Sequence, residues 1–269
     1  MRRSYTFISA LASLSLLMSN GCVQHHKHWG EDASPLPGWR AVGEAAKNAF
    51  SDPQTWGPLI AAGAIVTLDA DDKITDWAVD KDLMFDSTRA ASDASDDWLD
   101  ATEALVYATA LVTPSGETPG EWLFNKGKGL TATYLITKSS YTISENAKKP
   151  FNRERPDGSN DKSFPSAHAL RASMHAAIAS RNVDAMGIDD TAKLFAKGGF
   201  YTLAGMTAWA RVEANKHHPS DLLVGYSIGR LFGIFLNDAF ITPYTGNKMR
   251  LSANAGNGSW RLSMEGNFN

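Results

Sequence analysis

Three short stretches of the chain gather side chains able to hold and process an anion. In "KKPFNRERP", Lys148, Arg153 and Arg155 crowd together, and Pro156 stiffens the exit. In "PSAH", Ser166, Ala167 and His168 stand where a helix-like run begins. A helix N-terminus offers unpaired N–H groups and a partial positive charge, so Ser166, the Ala167 amide and the nearby cations can together surround a phosphate-like anion. In "ARVEANKHHPSD", Arg211, His217 and Asp221 follow one another. His217 and Asp221 are four residues apart, a spacing that sets a carboxylate beside an imidazole on a helical turn. A carboxylate there fixes the tautomer and stabilises the imidazolium, leaving the other ring nitrogen the better nucleophile. Taken singly, each stretch has an ordinary explanation: Ser166 as a helix cap, His168 as a first-turn surface residue, His217 and Asp221 as a surface pair.

Taken in order, they form a pattern. Lys148, six residues, Arg155-Pro156; then Pro165-Ser166-Ala167-His168; then Arg211, five residues, His217, three residues, Asp221. This resembles the three-part signature of the type 2 phosphatidic acid phosphatase superfamily, which includes bacterial non-specific acid phosphatases and vanadium haloperoxidases. The resemblance implies an all-α fold, a helical bundle of the acid phosphatase and haloperoxidase type. It implies that Lys148, Arg155, Ser166 and Arg211, with the amide of Ala167, hold a phosphate. It also implies that His217 attacks phosphorus, oriented by Asp221 through its other ring nitrogen. His168 protonates the leaving alkoxide and then activates water. No cofactor and no metal are implied. Arg153 and His218 adjoin motif positions without matching them and stay outside this catalytic set.

The sequence departs from the signature at two places: Ala167 stands where glycine is usual, and Ala210 where serine precedes the arginine. The first keeps its N–H but adds a methyl group to the pocket, while the second removes a hydroxyl. The connecting segment "DGSNDKSF" is eight residues long, shorter than in soluble acid phosphatases. The reading is therefore a phosphomonoesterase acting on a phosphorylated lipid or a small phosphate ester. Two alternatives stand beside it. Vanadate mimics the transferring phosphoryl group, so the same cage would serve a vanadate-dependent haloperoxidase. A non-catalytic envelope lipoprotein would instead use its C-terminal tail to bind a partner.

Helical periodicity supplies the elements that must position these residues. It predicts helices over Trp39–Phe50, Pro58–Leu68, Thr88–Val112, Glu121–Ala147, His168–Val183, Thr191–Arg211 and Ser220–Asn237. The acidic "DADDKITD" has Ile74 where a calcium loop needs its turn glycine, and it reads as a solvated turn between helices. Within the tail, 241–269, "KMRLSANA" and "SWRLSMEGNF" alternate about "GNG", predicting a short β-hairpin. Its apolar face, Met249, Leu251 and Ala253 with Trp260, Leu262 and Met264, has to dock on something, because a lone hairpin is marginal in water.

The chain of 269 residues is 43% apolar, enough for one full core over residues 39–240. Its net charge of −3 gives no footprint for nucleic acid, so the cations near residue 150 are a local feature. Arg2 and Arg3, an apolar run and "SNGC" read as a lipoprotein-type signal over 1–21, with the single cysteine, Cys22, as the lipidated residue of the mature chain. Cleavage there leaves 24 basic residues against 29 acidic ones. Residues 22–38 read as a polar tether, and His25, His26 and His28 within it as solubilising rather than metal-binding. The longest uncharged stretch beyond it, Gln54–Leu68, has fifteen residues and is too short to span a bilayer comfortably. These features predict a domain facing the periplasm and held to a membrane, the outer membrane, by its N-terminal lipid. Nothing in the sequence sets an oligomeric state.

Overall fold

The structure, a computed structural model, describes residues 28–241 and the backbone of 249–256 and 259–266. The expected signal segment, Cys22, His25 and His26 lie outside the described residues. Between 28 and 241 the chain is mostly helical, in eight α-helices: α1 (Trp39–Ser51), α2 (Pro53–Thr67), α3 (Asp71–Lys81), α4 (Thr88–Val112), α5 (Pro119–Lys148), α6 (Ala167–Asp184), α7 (Asp190–Glu213) and α8 (Pro219–Phe240). The predicted helices are all present, with their ends set by caps. Asp52 accepts from the Gln54 amide ahead of Pro53, Ser87 from Ala90, and Asp189 from Ala192. Thr118 and Glu121 form a reciprocal capping box around Pro119.

Two expectations about the first half are corrected. Helix α2 starts at Pro53 rather than Pro58, because the Asp52 cap and Pro53 begin the helix and Pro58 then lies inside it. "DADDKITD" is not a solvated turn. Asp69, at φ 49°, closes α2, and α3 begins at Asp71, which is buried.

Helix α6 runs through the middle, with every residue from 172 to 180 buried, and packs against α4, α5, α7 and α8. Such packing requires small side chains. Helix α6 is rich in alanine, and α8 turns Gly225, Gly229 and Gly233, spaced four apart, toward it. A Cβ at Gly229 would fall 1.9 Å from the Leu170 carbonyl oxygen, and one at Gly225 would fall 2.5 Å from that of Ser166. The two backbones therefore touch, which fixes the start of α6 against the start of α8. The Ser166 amide donates to the Asp221 carbonyl at 3.1 Å.

The segment expected to be a tether is, from residue 28 onward, part of the body. Trp29 is 1% exposed and packs with Val106, Ala110, Ile136, Met174, Ile178 and Ile241. Its indole N–H donates to Asn182 Oδ1 at 2.9 Å, and the Ser34 amide donates to the Phe240 carbonyl at 3.1 Å. One tryptophan in a polar, proline-bearing stretch has no period to betray it, yet its burial outweighs the loss of chain freedom.

Candidate active site

The loop from 149 to 166, the starts of α6 and α8 and the ends of α5 and α7 meet at one place. Lys148 closes α5, Arg155 lies in the loop, Ser166 caps α6, Ala167 and His168 open it, Arg211 ends α7, and His217 and Asp221 flank the first turn of α8. All eight sequence-predicted residues of the site thus fall on this cluster of element ends.

The cations act on one another. Burial, with Arg155, Arg211 and Lys162 nearby, lowers the Lys148 ammonium below its usual range. Burial pushes Arg211 down to about 10, with Asp96 opposing and Arg155 adding to the shift, so it remains charged at neutral pH. Among the described residues, no carboxylate lies at ion-pair distance from Lys148, Arg155 or Arg211. The buried Nε atoms of Arg155 and Arg211 have no hydrogen-bond partner among the described residues. Among the described residues, Lys148 Nζ has only the Lys162 carbonyl, at 3.4 Å. Gathering like charges without a directly paired carboxylate costs free energy, which an anion bound among them recovers. The N-terminus of α6 adds its free amides on the same side. Ser166 is fully buried, and its hydroxyl sits 3.5 Å from the Ala169 amide, a weak cap.

His217 is 1% exposed, and its Nδ1 lies 2.6 Å from the Ser163 carbonyl oxygen. A carbonyl only accepts, so Nδ1 carries the hydrogen and Nε2 keeps its lone pair. Burial pushes the imidazole down to about 4; Asp221 opposes this, and Arg211 and Arg155 reinforce it, so the ring is neutral at pH 7. A neutral imidazole with a fixed tautomer is a nucleophile in its resting form.

The expectation that Asp221 takes the other ring nitrogen of His217 is corrected. Asp221 Oδ2 lies 3.8 Å from Nδ1, too far for a direct hydrogen bond. It accepts instead from the Ser163 hydroxyl at 2.5 Å and the His218 amide at 2.9 Å. The physical reason is placement. His217 lies before the helix, and Asp221, as the third helical residue, closes the N-terminal turn, while the Ser163 carbonyl fills the space beside the ring. Asp221 therefore holds His217 through the residue that contacts it, and by charge at a distance.

Arg153, left outside the set by sequence, underpins this arrangement. Its Nη1 donates to Asp221 Oδ1 and to Ser220 Oγ, each at 2.8 Å, and its Nη2 donates to Asp71 Oδ2 at 2.9 Å. Asp71 also accepts from the Ser220 amide and hydroxyl, at 2.9 and 2.6 Å. The guanidinium thus joins α3, the loop and α8. The alternation around exposed Glu154 is the only sequence signal for it: Arg153 and Arg155 flank an outward residue and both turn inward.

Helix α4 contributes a wall that the three-part pattern does not contain. Ser92 and Ser95 accept from Arg211 Nη1 at 3.1 and 3.0 Å, and Asp96 Oδ1 lies 2.7 Å from His168 Nε2. The hydroxyls on Arg211 come from α4, whereas position 210 is a buried alanine. In sequence, "SDASDD" is indistinguishable from any solvated helix face.

The comparisons agree with one another in kind. Residues 134–242 match the PAP2 superfamily. The lipid A 1-phosphatase of Porphyromonas gingivalis is 30% identical over 108 residues, which are 39% of this chain and 23% of that protein. The chain thus matches less than a quarter of that relative's length. The crystal structure of a transmembrane PAP2-type phosphatidylglycerolphosphate phosphatase from Bacillus subtilis superposes with a TM-score of 0.50 at 21% identity, covering 69% of this chain and 92% of that one. The likeness is one of fold. No helix among the described residues of this chain is long and apolar enough to cross a membrane. Motif, matched region and fold thus agree in supporting membership of the PAP2 superfamily.

Proposed function

We propose that the chain is a metal-independent phosphatase that hydrolyses phosphate monoesters through a phosphohistidine intermediate. One observation carries the reading: a buried His217, its Nδ1–H held by the Ser163 carbonyl, near cations that no carboxylate among the described residues meets at ion-pair distance. Phosphoryl transfer asks for charge neutralisation, an in-line nucleophile and a proton for the leaving oxygen. Lys148, Arg155, Arg211, Ser166 and the Ala167 amide neutralise and orient the phosphate. Nε2 of His217 attacks phosphorus as the bond to the ester oxygen breaks, and the leaving oxygen takes a proton from His168. The phosphoimidazole formed keeps its Nδ1–H on Ser163, with Asp221 nearby to stabilise its positive charge. Water then gives a proton to His168 as its oxygen attacks phosphorus. The N–P electron pair returns to Nε2, and phosphate leaves.

A lipid phosphate is the favoured substrate class. Support comes from what the relatives' names say of them, lipid A 1-phosphatase and phosphatidylglycerolphosphate phosphatase. We place the protein in the bacterial envelope, facing the periplasm, with residues 1–21 removed and Cys22 acylated as the tie to the outer membrane. We also read the tail as the predicted hairpin. Antiparallel pairing of Met249–Gly256 with Ser259–Gly266 supports this, with Leu251 opposite Met264 and Ala253 opposite Leu262, as the alternation requires.

Rapid quenching during turnover tests the mechanism. Acid-labile, base-stable phosphate should be trapped on His217, and His217→Ala should abolish both trapping and turnover. Label trapped on the His217→Ala protein would overturn the assignment of the nucleophile. A phosphate-release screen of lipid and soluble esters, run in the presence of chelator, tests the substrate class. Turnover confined to soluble esters would remove the lipid reading.

A further inference from the structure

Helix α4 turns Ser92, Ser95 and Asp96, spaced i, i+3, i+4, onto one side of the site. The serines hold Arg211. Asp96 reaches His168, and its side chain is 64% exposed against 22% for His168. It thus covers the imidazole from the solvent side and carries none of the core. A carboxylate only accepts, so the hydrogen between them sits on His168 Nε2. The nitrogen left to exchange a proton with a bound ester is Nδ1.

We propose that Asp96 is the positioning residue of the acid–base histidine, holding His168 by Nε2–H so that Nδ1 carries the transferable proton, and setting a negative charge beside an imidazole otherwise faced by cations. The proposal rests on the phosphatase reading of the same site. The charged groups around His168 explain why such a residue is needed. Arg211 faces it from α7 and Arg171 from its own helix, and Arg211 in turn has Arg155 in the loop and Lys148 at the end of α5 as cationic neighbours. Burial and Arg211 push the imidazole down to about 4 while Asp96 pulls it up. A cage built to hold phosphate works against keeping a proton on the adjacent acid, and Asp96 offsets that conflict. In the first step the Nδ1 proton passes to the leaving oxygen, giving the alcohol and a neutral ring. In the second, water returns a proton to Nδ1 as its oxygen bonds to phosphorus. Nε2–H stays on Asp96 throughout.

The test compares the full chain with Asp96→Asn, which keeps the shape and removes the charge, and with Asp96→Glu, which keeps the charge. NMR titration of the His168 ring, assigned with His168→Gln, should show its pKa about one unit lower in Asp96→Asn. One unit removes about nine-tenths of the acid form on the alkaline side. Turnover of an alkyl phosphate should therefore fall about tenfold, with the alkaline limb of kcat displaced to lower pH by the same unit. An aryl phosphate with a good leaving group should lose less than about threefold, because that oxygen needs little protonation. KM should be unchanged for both, and Asp96→Glu should restore most of the alkyl activity. An unshifted His168 pKa in Asp96→Asn would overturn the proposal, and so would equal losses on both esters with an unmoved limb. If the wild type cleaved no phosphate ester, the phosphatase reading would fail, and the His168 titration would still decide the role of Asp96.

Discussion

Replacing Arg153 by Met removes one guanidinium from between two carboxylates while nearly keeping its volume. The side chain of Asp221 is fully buried and that of Asp71 is 10% exposed, whereas Arg153 is 32% exposed. Breaking a fully buried pair by deleting one partner costs about 3–5 kcal/mol; the partial exposure of Arg153 reduces this to about 2–3 kcal/mol near neutral pH. The sign of the pH dependence identifies the cause. Burial raises the Asp221 pKa, but His217, Ser163 and Arg153 outweigh it, and the carboxyl titrates below its ordinary range. A depressed folded-state pKa gives stability that is present above the unfolded value of about 4 and lost as the pH falls through the folded one. In Arg153→Met the same carboxyl stays buried without its cation, so its pKa rises and the folded state loses stability as the pH climbs. The gap between the two proteins should therefore be widest near pH 7 and narrow as the pH falls toward about 4.

Urea unfolding at a series of pH values measures this gap, and kcat on a phosphate ester measures its effect on the site. Loss of the Arg153 contact frees Asp221 and with it Ser163, whose carbonyl holds His217, the proposed nucleophile, so kcat should fall about 10–100-fold. Arg153→Lys keeps the charge but cannot span Asp71, Ser220 and Asp221 at once, so it should recover part of the stability and little of the rate. A gap that does not change with pH, or one below about 0.5 kcal/mol, would refute the reasoning.

Arg155→Ala and Arg211→Ala should each lose most turnover with unchanged helix content by circular dichroism, and vanadate should inhibit the wild type competitively. Gly225→Ala sets a methyl group 2.5 Å from the Ser166 carbonyl, so kcat should fall together with a stability loss of about 1–3 kcal/mol. Gly198→Ala, with nothing within 4 Å, should instead stabilise α7 by about 0.5–1 kcal/mol in the same unfolding assay. Trp29→Ala should cost about 3–5 kcal/mol in denaturant unfolding, an outcome a free tether could not produce. Cys22→Ser should abolish metabolic labelling by a clickable fatty acid, and equal labelling of both proteins would remove the lipid anchor from the reading.

What the sequence reveals of this site and what it hides follow from how each residue works. Lys148, Arg155, Ser166, Arg211 and His217 are legible because their chemistry ties them to element ends at set spacings: a cap must precede its helix, and a cation on a short loop has few places to go. Arg153, Asp71, Ser163 and Asp96 act through partners 54 to 149 residues away in the chain, and nothing local in a lone aspartate or serine records such a partner. Trp29 shows the same limit in the core, since its partner Asn182 lies 153 residues on. The position of Asp221 was legible and its contact was not. The i, i+4 spacing places it near His217, but a helix that begins between the two turns the imidazole toward the Ser163 carbonyl. That geometry has a chemical consequence. A carboxylate bonded directly to Nδ1 would raise the basicity of His217 and favour its protonation in the resting site. A carbonyl fixes the same tautomer with less basicity, and in the proposed mechanism the charge of Asp221, set back at 3.8 Å, gains most once the ring becomes cationic on phosphorylation. The indirect contact thus favours a ring that waits neutral and is stabilised after it has reacted.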